Sequence, residues 1–262
     1  MELDIYQVDA FTSEVFKGNP AAVVPLSTWP DDKVLLNIAA ENNLSETAFV
    51  VPKENGFHIR WFTPTVEVSL CGHATLATSW VLRNELGYDK SSIHFESQSG
   101  ELIVECSDHD FTLNFPKWDS EKIDSSDAIV CEALGYQPLE LYKGTKWVAI
   151  VDDPSKVIDF VPDFDLINKI PSEGFIVSAQ GGVPNIDFTS RYFGPQVGID
   201  EDPVTGSAHC LLASIWSHKL RKPELLAHQA SKRGGILKLK LENDRVYITG
   251  EAVLYLKGKI YV

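Results

Sequence analysis

The sequence predicts an α+β protein made of two similar halves, each with strands surrounding one buried helix. Two observations predict this class. An arginine–aromatic–phenylalanine–x–proline motif occurs at residues 60–64 and again at 191–195, an offset of half the chain's 262 residues. Each copy is followed by a glycine, Gly72 or Gly206, that opens an apolar segment with interspersed small residues. The shared order of strand, proline turn and glycine-started helix indicates an internal duplication.

Alternation of apolar and polar residues predicts short strands in both halves. In the first half they are residues 57–63, followed by an antiparallel meander of 92–98, 101–106 and 110–115. In the second half they are residues 145–151, 174–179, 185–193, 236–241, 245–249 and 252–256. Asn243-Asp244 predicts a hairpin turn in that second series.

Three segments carry helix signals, namely residues 31–42, 73–86 and 207–220. The first can be capped by Asp31 or Asp32, and the second ends at Gly87, where a helix commonly ends. The second and third segments are apolar nearly all round, which is typical of a helix buried on most faces. We therefore expect one of them at the centre of each half.

We expect the two halves to be separate domains, residues 1–116 and 127–262, joined by a polar segment over 116–126. The last strand could instead return to the N-terminal half. Hydrophobic residues make up 44% and charged residues 23% of the chain, which are ordinary globular values. The sequence thus contains enough apolar material for two cores.

Charge and patterning exclude several classes of partner. The formal net charge of −14 argues against nucleic acid, because phosphate backbones require clustered lysine and arginine. A membrane partner is not expected, since no apolar run approaches the roughly 18 residues of a membrane span. The N-terminus lacks the basic and apolar regions of a secretory signal, so we expect a cytoplasmic protein.

The four cysteines show no CxxC pair and therefore predict neither a zinc site nor, in a reducing compartment, disulfides. No Walker loop, GxGxxG motif or Ser-His-Asp order is present. No cofactor and no metal are implied.

The starts of the two apolar helices are candidate binding positions. The first N–H groups of a helix have no intrahelical acceptor and lie at the positive end of the dipole, so they favour anions such as a carboxylate. Gly72 and Gly206 would let a ligand approach the backbone closely. The alternative is that each glycine serves only a tight turn.

Three titratable residues stand near these starts. His73 lies in the first helical turn, where the dipole disfavours its charged form and leaves a neutral imidazole. Asp202 precedes Pro203 at the second helix entry; it is either a proton donor with a raised pKa or part of a solvated acidic turn. Cys71 is either a thiolate at a helix start or a small buried hydrophobe.

Several sequence blocks together resemble the PhzF family of phenazine-biosynthesis isomerases. The blocks are Phe11, GNPAAVV (18–24), NLSETAF (43–49), RWFTP (60–64), Glu67, CGHAT (71–75), EDPVTGSA (201–208) and RGG (233–235). The resemblance implies the diaminopimelate epimerase fold, with two similar domains, each a curved, mostly antiparallel sheet around a central helix, and a site in the cleft between them. It also implies a homodimer that uses neither metal nor organic cofactor.

Residue roles follow from the same resemblance. It implies that Glu46 shuttles a proton, with His73 and Asp202 assisting, in a proton-shift isomerisation of the trans-2,3-dihydro-3-hydroxyanthranilate type. The resemblance further implies that five residues hold a small carboxylate-bearing substrate, namely Asn19, Cys71, Gly72, Gly206 and Ser207. Backbone N–H groups of the two glycines would stabilise negative charge, as an oxyanion hole does.

Two other functions stay open at the level of sequence. An amino-acid racemase or epimerase could use Cys71 with Asp202, although the second cysteine of such enzymes is replaced here in the Asp202-Pro203 block. A non-catalytic member of the family could bind a metabolite or a protein. The identity of the physiological substrate is not encoded in any of these motifs.

Overall fold

A computed structural model describes residues 1–262 and divides into two compact units. The first unit comprises Met1–Asn114 and Ile248–Val262, and the second comprises Phe115–Tyr247. Residues 116–126, predicted as a linker, belong to the second unit. The final segment belongs to the first unit, as the sequence left open, because its strand pairs with the first strand of the chain.

The chain forms eighteen strands, six α-helices and one 3-10 helix. The strands are β1 Glu2–Ala10, β2 Asn19–Pro25, β3 Glu46–Lys53, β4 Gly56–Phe62, β5 Glu67–Val68, β6 Ser92–Ser97, β7 Gly100–Cys106, β8 Phe111–Pro116, β9 Glu121–Ile123, β10 Glu140–Lys143, β11 Trp147–Ile150, β12 Phe175–Gln180, β13 Phe188–Gly194, β14 Ile199–Asp202, β15 Glu224–Gln229, β16 Gly235–Glu242, β17 Arg245–Gly250 and β18 Ala252–Tyr261. The helices are α1 Asp32–Asn42, α2 Gly72–Asn84, α3 Ala128–Leu134, α4 Ser155–Ile158, α5 Phe164–Ile167 and α6 Gly206–Leu220, and the 3-10 helix is Pro195–Val197. None of the helices is long and apolar enough to cross a membrane.

The sheet of the first unit is mostly antiparallel with two parallel pairs. β1 pairs antiparallel with β18 and β2, and β3 pairs antiparallel with β4. The parallel pairs are β2–β3, whose connection contains α1, and β4–β6, whose connection contains β5 and α2. Parallel neighbours need a crossover, which both helices provide. α2 contacts β1, β2, β3, β7 and β18, so the strands surround it.

The second unit repeats this pairing strand for strand. β10–β11, β12–β13, β13–β14 and β15–β16 are antiparallel, whereas β11–β12 and β13–β15 are parallel. The short helices α4 and α5 take the place of α1, and α6 takes the place of α2. The duplication predicted from two short motifs therefore extends over the topology of both units.

The arginine of each repeated motif makes the same ion pair. Arg60 on β4 binds Glu67 through Nε and Nη2, both at 2.7 Å. Arg191 on β13 binds Glu201 through the same two nitrogens, at 2.7 and 2.9 Å. Such two-point pairing fixes the geometry of both partners. Each ion pair thereby fastens the short strand, β5 or β14, that leads to the central helix.

The second copy has a longer turn at this point. The register pairs Phe62 with Glu67 in the first unit and Phe193 with Glu201 in the second. The 3-10 helix Pro195–Val197 lies inside the longer connection. It explains why the offset between the copies grows after the arginine motif, while the strand pairing on either side is kept.

Both central helices are confirmed, with starts one residue earlier than predicted. α2 begins at Gly72 and its last turn is followed by Gly87 at φ +72°, while α6 ends at Leu220 and its C-cap Arg221 is in the left-handed region. The predicted first helix begins at Asp32, because Asp31 is its N-cap and accepts the Lys33 N–H at 2.8 Å. The predicted hairpin turn lies between β16 and β17, with Asn243 at φ +55°.

Several elements were not predicted. The strand β2 reads as an uninterrupted apolar run because both of its faces are largely buried, so it shows no alternation. The helices α4 and α5 have four residues each, too few for a periodic pattern. The strand β9, inside the predicted linker, has three mostly polar residues.

Candidate active site

Four of the predicted site residues come together at one end of the sheet of the first unit. Asn19 opens β2 and Glu46 opens β3, and these strands are parallel, so both side chains start from the same edge. Cys71 is the N-cap of α2, and His73 is the second residue of that helix. The crossover through α1 is thus what places the amide and the carboxylate beside the helix start.

Their side chains contact one another around the imidazole ring. His73 Nε2 lies 3.3 Å from Glu46 Oε2. On the other edge of the ring, Nδ1 lies 3.2 Å from the Asn19 amide nitrogen and 3.5 Å from Cys71 Sγ. Asn19, Cys71 and His73 are buried, while the Glu46 side chain keeps 13% of its exposure.

The protonation of His73 follows from this packing. Burial lowers the pKa of its imidazole to about 3, so the ring is neutral at physiological pH. The Asn19 amide nitrogen can only donate, which makes Nδ1 the acceptor and puts the single ring proton on Nε2. The N–H of the neutral ring is therefore on the nitrogen that lies 3.3 Å from Glu46 Oε2, although the two atoms are not aligned for a hydrogen bond.

The same cluster contains residue types that can bind a metal ion. One possible ligand atom from each of Glu46, Cys71 and His73 lies within 4.8 Å of the others. Yet the thiol contacts Nδ1 and the carboxylate contacts Nε2, on different edges of the ring. A metal ion bonds to one nitrogen of a histidine ring, with its other ligands gathered on that side. The arrangement fits a chain of proton-exchanging groups better than a metal centre.

Gly72 is the first residue of α2, and the other three predicted residues lie together in the second unit. Asp202 is the last residue of β14 and is 9% exposed. Gly206 and Ser207 are the first two residues of α6, whose N-cap is Thr205. Thr205 Oγ1 donates to Asp202 Oδ2 at 2.6 Å, and the side chain of Gln229 binds the same turn. Sequence patterns drew no attention to Thr205 or Gln229.

The repeat changes the expected correspondence between the two helix starts. The pairings β4–β5 and β13–β14 place Val68 and Asp202 at equivalent positions. Cys71 and Thr205 are the N-caps of α2 and α6, both with extended backbone and no side-chain bond to the helix. Within the block 201–208, the residue standing for a second cysteine is therefore Thr205, and not Asp202 or Pro203. Asp202 instead replaces an apolar residue.

Burial also shifts the pKa values of groups around Asp202. Lys146 is 6% exposed, and its ammonium lies 4.7 Å from the centre of the Trp118 ring. Burial lowers its pKa, against the opposing effect of Glu173 and more distant acids including Asp202. Burial, followed by the charge of Asp202, raises the pKa of Tyr192, its partner across the strands. No motif in the sequence pointed to Lys146.

The fold alone places the protein in a structural class. A hydroxyproline epimerase from Agrobacterium vitis superposes with a TM-score of 0.62 at 12% identity, covering 99% of this chain and 92% of that one. The protein thus has the predicted epimerase-like α+β fold, with similar units that each carry a helix surrounded by strands.

Sequence comparison then shows the family. Residues 8–258 match the phenazine biosynthesis-like protein family, and the chain belongs to it. A Pseudomonas aeruginosa protein named as an uncharacterized isomerase is 45% identical over the whole of both chains. The crystal structure of a PhzF-family protein from Enterococcus faecalis has a TM-score of 0.97 and 43% identity, covering both chains fully. The family membership predicted from the sequence blocks is confirmed.

Proposed function

We propose that the protein is an isomerase that shifts a proton between two carbons of a small, carboxylate-bearing metabolite without a cofactor. The observation that carries this proposal is the contact between Glu46 Oε2 and His73 Nε2 at 3.3 Å, beside the start of a buried helix. A carboxylate held by a neutral imidazole can take up a proton and return it elsewhere on the same substrate. Relatives named as isomerases support this class.

In the proposed mechanism Glu46 removes a proton from one carbon and delivers it to another, so that no atom is gained or lost. His73 orients the carboxylate through its Nε2–H, and Asn19 maintains that tautomer. Asp202 assists the transfers. The N–H groups at the starts of α2 and α6, including those of Gly72, Gly206 and Ser207, bind the substrate carboxylate and developing negative charge.

The substrate we propose is of the trans-2,3-dihydro-3-hydroxyanthranilate type, as the family resemblance implies. The same resemblance adds a homodimer to the proposal, and the sequence pattern at the N-terminus adds a cytoplasmic location. Light scattering on the purified protein tests the dimer, because a monomer of 29.1 kDa and a dimer differ twofold in mass.

The decisive experiment follows proton exchange by NMR in D₂O. The purified protein is incubated with trans-2,3-dihydro-3-hydroxyanthranilate and with a panel of amino acids and related carboxylates. We expect one compound to isomerise, and Glu46→Gln to slow the reaction by about 10²–10⁴-fold, the usual contribution of a general acid–base group. Glu54→Gln, at an exposed turn, is the matched control and should leave the rate unchanged.

A racemase remains the second candidate because Cys71 Sγ lies at the helix start, 3.5 Å from His73 Nδ1. Exchange of an amino-acid α-proton that disappears in Cys71→Ser would establish it and overturn the isomerase. Absence of exchange with every compound, together with tight binding of one of them, would instead favour the non-catalytic function.

A further inference from the structure

A buried glutamine holds the turn through which the chain enters α6. Gln229 is the last residue of β15 and is 1% exposed. Its Oε1 accepts the Thr205 N–H at 2.8 Å, and its Nε2 donates to the Asp202 carbonyl oxygen at 2.7 Å. One partner is a donor and the other an acceptor, so the orientation of the amide is fixed by the backbone of the turn.

This orientation determines the direction of a second hydrogen bond. Gln229 Nε2 also lies 3.2 Å from Thr205 Oγ1, and an amide nitrogen can only donate. The hydroxyl therefore accepts from Gln229 and directs its one hydrogen to Asp202 Oδ2, at 2.6 Å. The chain of donors runs from glutamine to threonine to carboxylate, and hydrogen bonds to an ionised carboxylate favour that form.

We propose that Gln229 is a positioning residue that acts through the Thr205 hydroxyl to hold the Asp202 carboxylate ionised and in one orientation. Its catalytic meaning rests on the proposed function, in which Asp202 assists proton transfer.

Other charged groups also act on this carboxylate. Tyr192 faces it from β13, and Lys146, in the segment before β11, interacts with it electrostatically. Glu173, in the segment before β12, acts on both Tyr192 and Lys146. Cys210 of α6 is coupled to Lys146, and His228 precedes Gln229 on β15. Variants at Thr205 and Gln229 keep all five groups, so a change in the Asp202 titration reports on the hydrogen-bond chain.

The test is a ¹³C NMR titration of the Asp202 side-chain carboxyl, assigned with Asp202→Asn, in four variants of the full chain. Thr205→Val keeps the shape of the threonine but loses its hydroxyl, and we expect it to raise the Asp202 pKa by about one unit. Thr205→Ser restores the hydroxyl and should return the pKa to within about 0.3 units of the original. Gln229→Met should raise it as well, by a smaller amount.

The double variant Thr205→Val/Gln229→Met decides whether glutamine acts through threonine. If it does, the double variant titrates like Thr205→Val alone, a non-additive result. An unchanged Asp202 pKa in Thr205→Val overturns the proposal, and so does a Gln229→Met shift that adds in full to the first. These measurements need no substrate, so failure to find an isomerised compound would refute the proposed function and leave this result standing.

With a substrate in hand, kinetics provide a second readout. Thr205→Val should lower kcat about tenfold with little change in KM, and Thr205→Ser should recover most of kcat. Equal losses in the valine and serine variants would contradict the proposal, because they would show that the hydroxyl is not the group that matters.

Discussion

The starts of α2 and α6 occupy the same place in two units of the same topology, yet they carry different chemistry. In the first unit the helix start holds a thiol and a neutral imidazole that faces a carboxylate from β3. In the second it holds a hydroxyl that donates to a carboxylate from β14. The two units share one backbone topology, but the side chains at the helix starts and on the neighbouring strands differ. Each unit therefore combines a carboxylate with a different partner group.

The glutamine of the second unit has no counterpart in the first. β4 pairs with β6 through His58↔Glu96, and β13 pairs with β15 through Thr189↔His228. Ser97 therefore follows where Gln229 stands, and its hydroxyl donates to a neighbouring turn instead. The difference shows that a buried side chain holds the helix entry of the second unit, whereas the equivalent residue of the first unit bonds elsewhere.

The largest effect that tests this comparison is on turnover. His73→Asn should slow the proposed isomerisation by about 10²–10⁴-fold, because the carboxylate of Glu46 loses its orienting partner. Ser207→Ala, at the equivalent position of α6, should cost only about tenfold, the loss of one hydrogen bond. Steady-state kinetics of both variants check this, and equal losses would mean that the two helix starts act alike.

The second effect is on stability and compares the repeated arginines. Arg191 also donates to the carbonyl oxygens of Val157 and Phe160, whereas the further partner of Arg60 is the largely exposed Asp32. Removing one member of a buried ion pair leaves the other charge uncompensated, so Arg191→Met should lower the free energy of unfolding by about 3–5 kcal/mol. Arg60→Met should cost about 2 kcal/mol, since its further partner is an exposed carboxylate and not a pair of backbone carbonyl oxygens. Urea denaturation measures both, and a larger loss for Arg60 would reverse the ranking.

The third effect is the pH dependence of stability, which arises from one buried histidine in each central helix. Burial lowers the pKa of His73 to about 3 and that of His209 to about 4. Below pH 6.5 the two histidines of the unfolded chain become protonated, whereas those of the folded protein stay neutral. Stability therefore falls as the pH drops towards the lowered pKa values. For His209 this loss is about 2 kcal/mol between pH 6.5 and 5.

The matched variants are His209→Gln and His94→Gln, and His94 has a side chain that is 43% exposed. Urea denaturation at pH 6.5 and 5 should show a smaller loss of stability in the first variant and an unchanged loss in the second. Equal losses in both variants would show that the buried ring of α6 does not govern this dependence.

The smallest effect concerns the thiol. Cys71→Thr gives the first helix the N-cap of the second, and we expect the rate of the isomerase to change by less than about threefold, because no step uses the sulfur. Neither N-cap makes a side-chain bond to its helix, so stability should also be nearly unchanged. A thousandfold loss of activity would show that the thiol is essential and would favour the racemase.

Much of the fold was predictable because its signals are local. The duplicated arginine motif and the apolar character of α2 and α6 lie within short windows of sequence. They can be recognised without knowledge of the surrounding structure. The strand β2 and the helices α4 and α5 left no such signal, because a strand buried on both faces does not alternate and a single helical turn has no period.

The site residues also differ in whether the sequence alone could identify them. Glu46 and His73 were predicted from family-like blocks, but their contact depends on the packing of α2 against β3, which no local pattern contains. Gln229 was missed because its role comes from facing a turn that is distant in sequence. A buried polar side chain is recognised by its partners, and partners are a tertiary property.

By itself, the sequence determined the class of fold, the duplication, the family and the residues that the proposed chemistry needs. Only the tertiary structure decided that Asp202 stands where the first unit has Val68, that the His73 proton is on the ring nitrogen nearer Glu46, and that the last strand belongs to the first unit. The physical reason is that periodicity and motifs are properties of consecutive residues. Strand register, burial and hydrogen-bond direction exist only between segments that folding brings together.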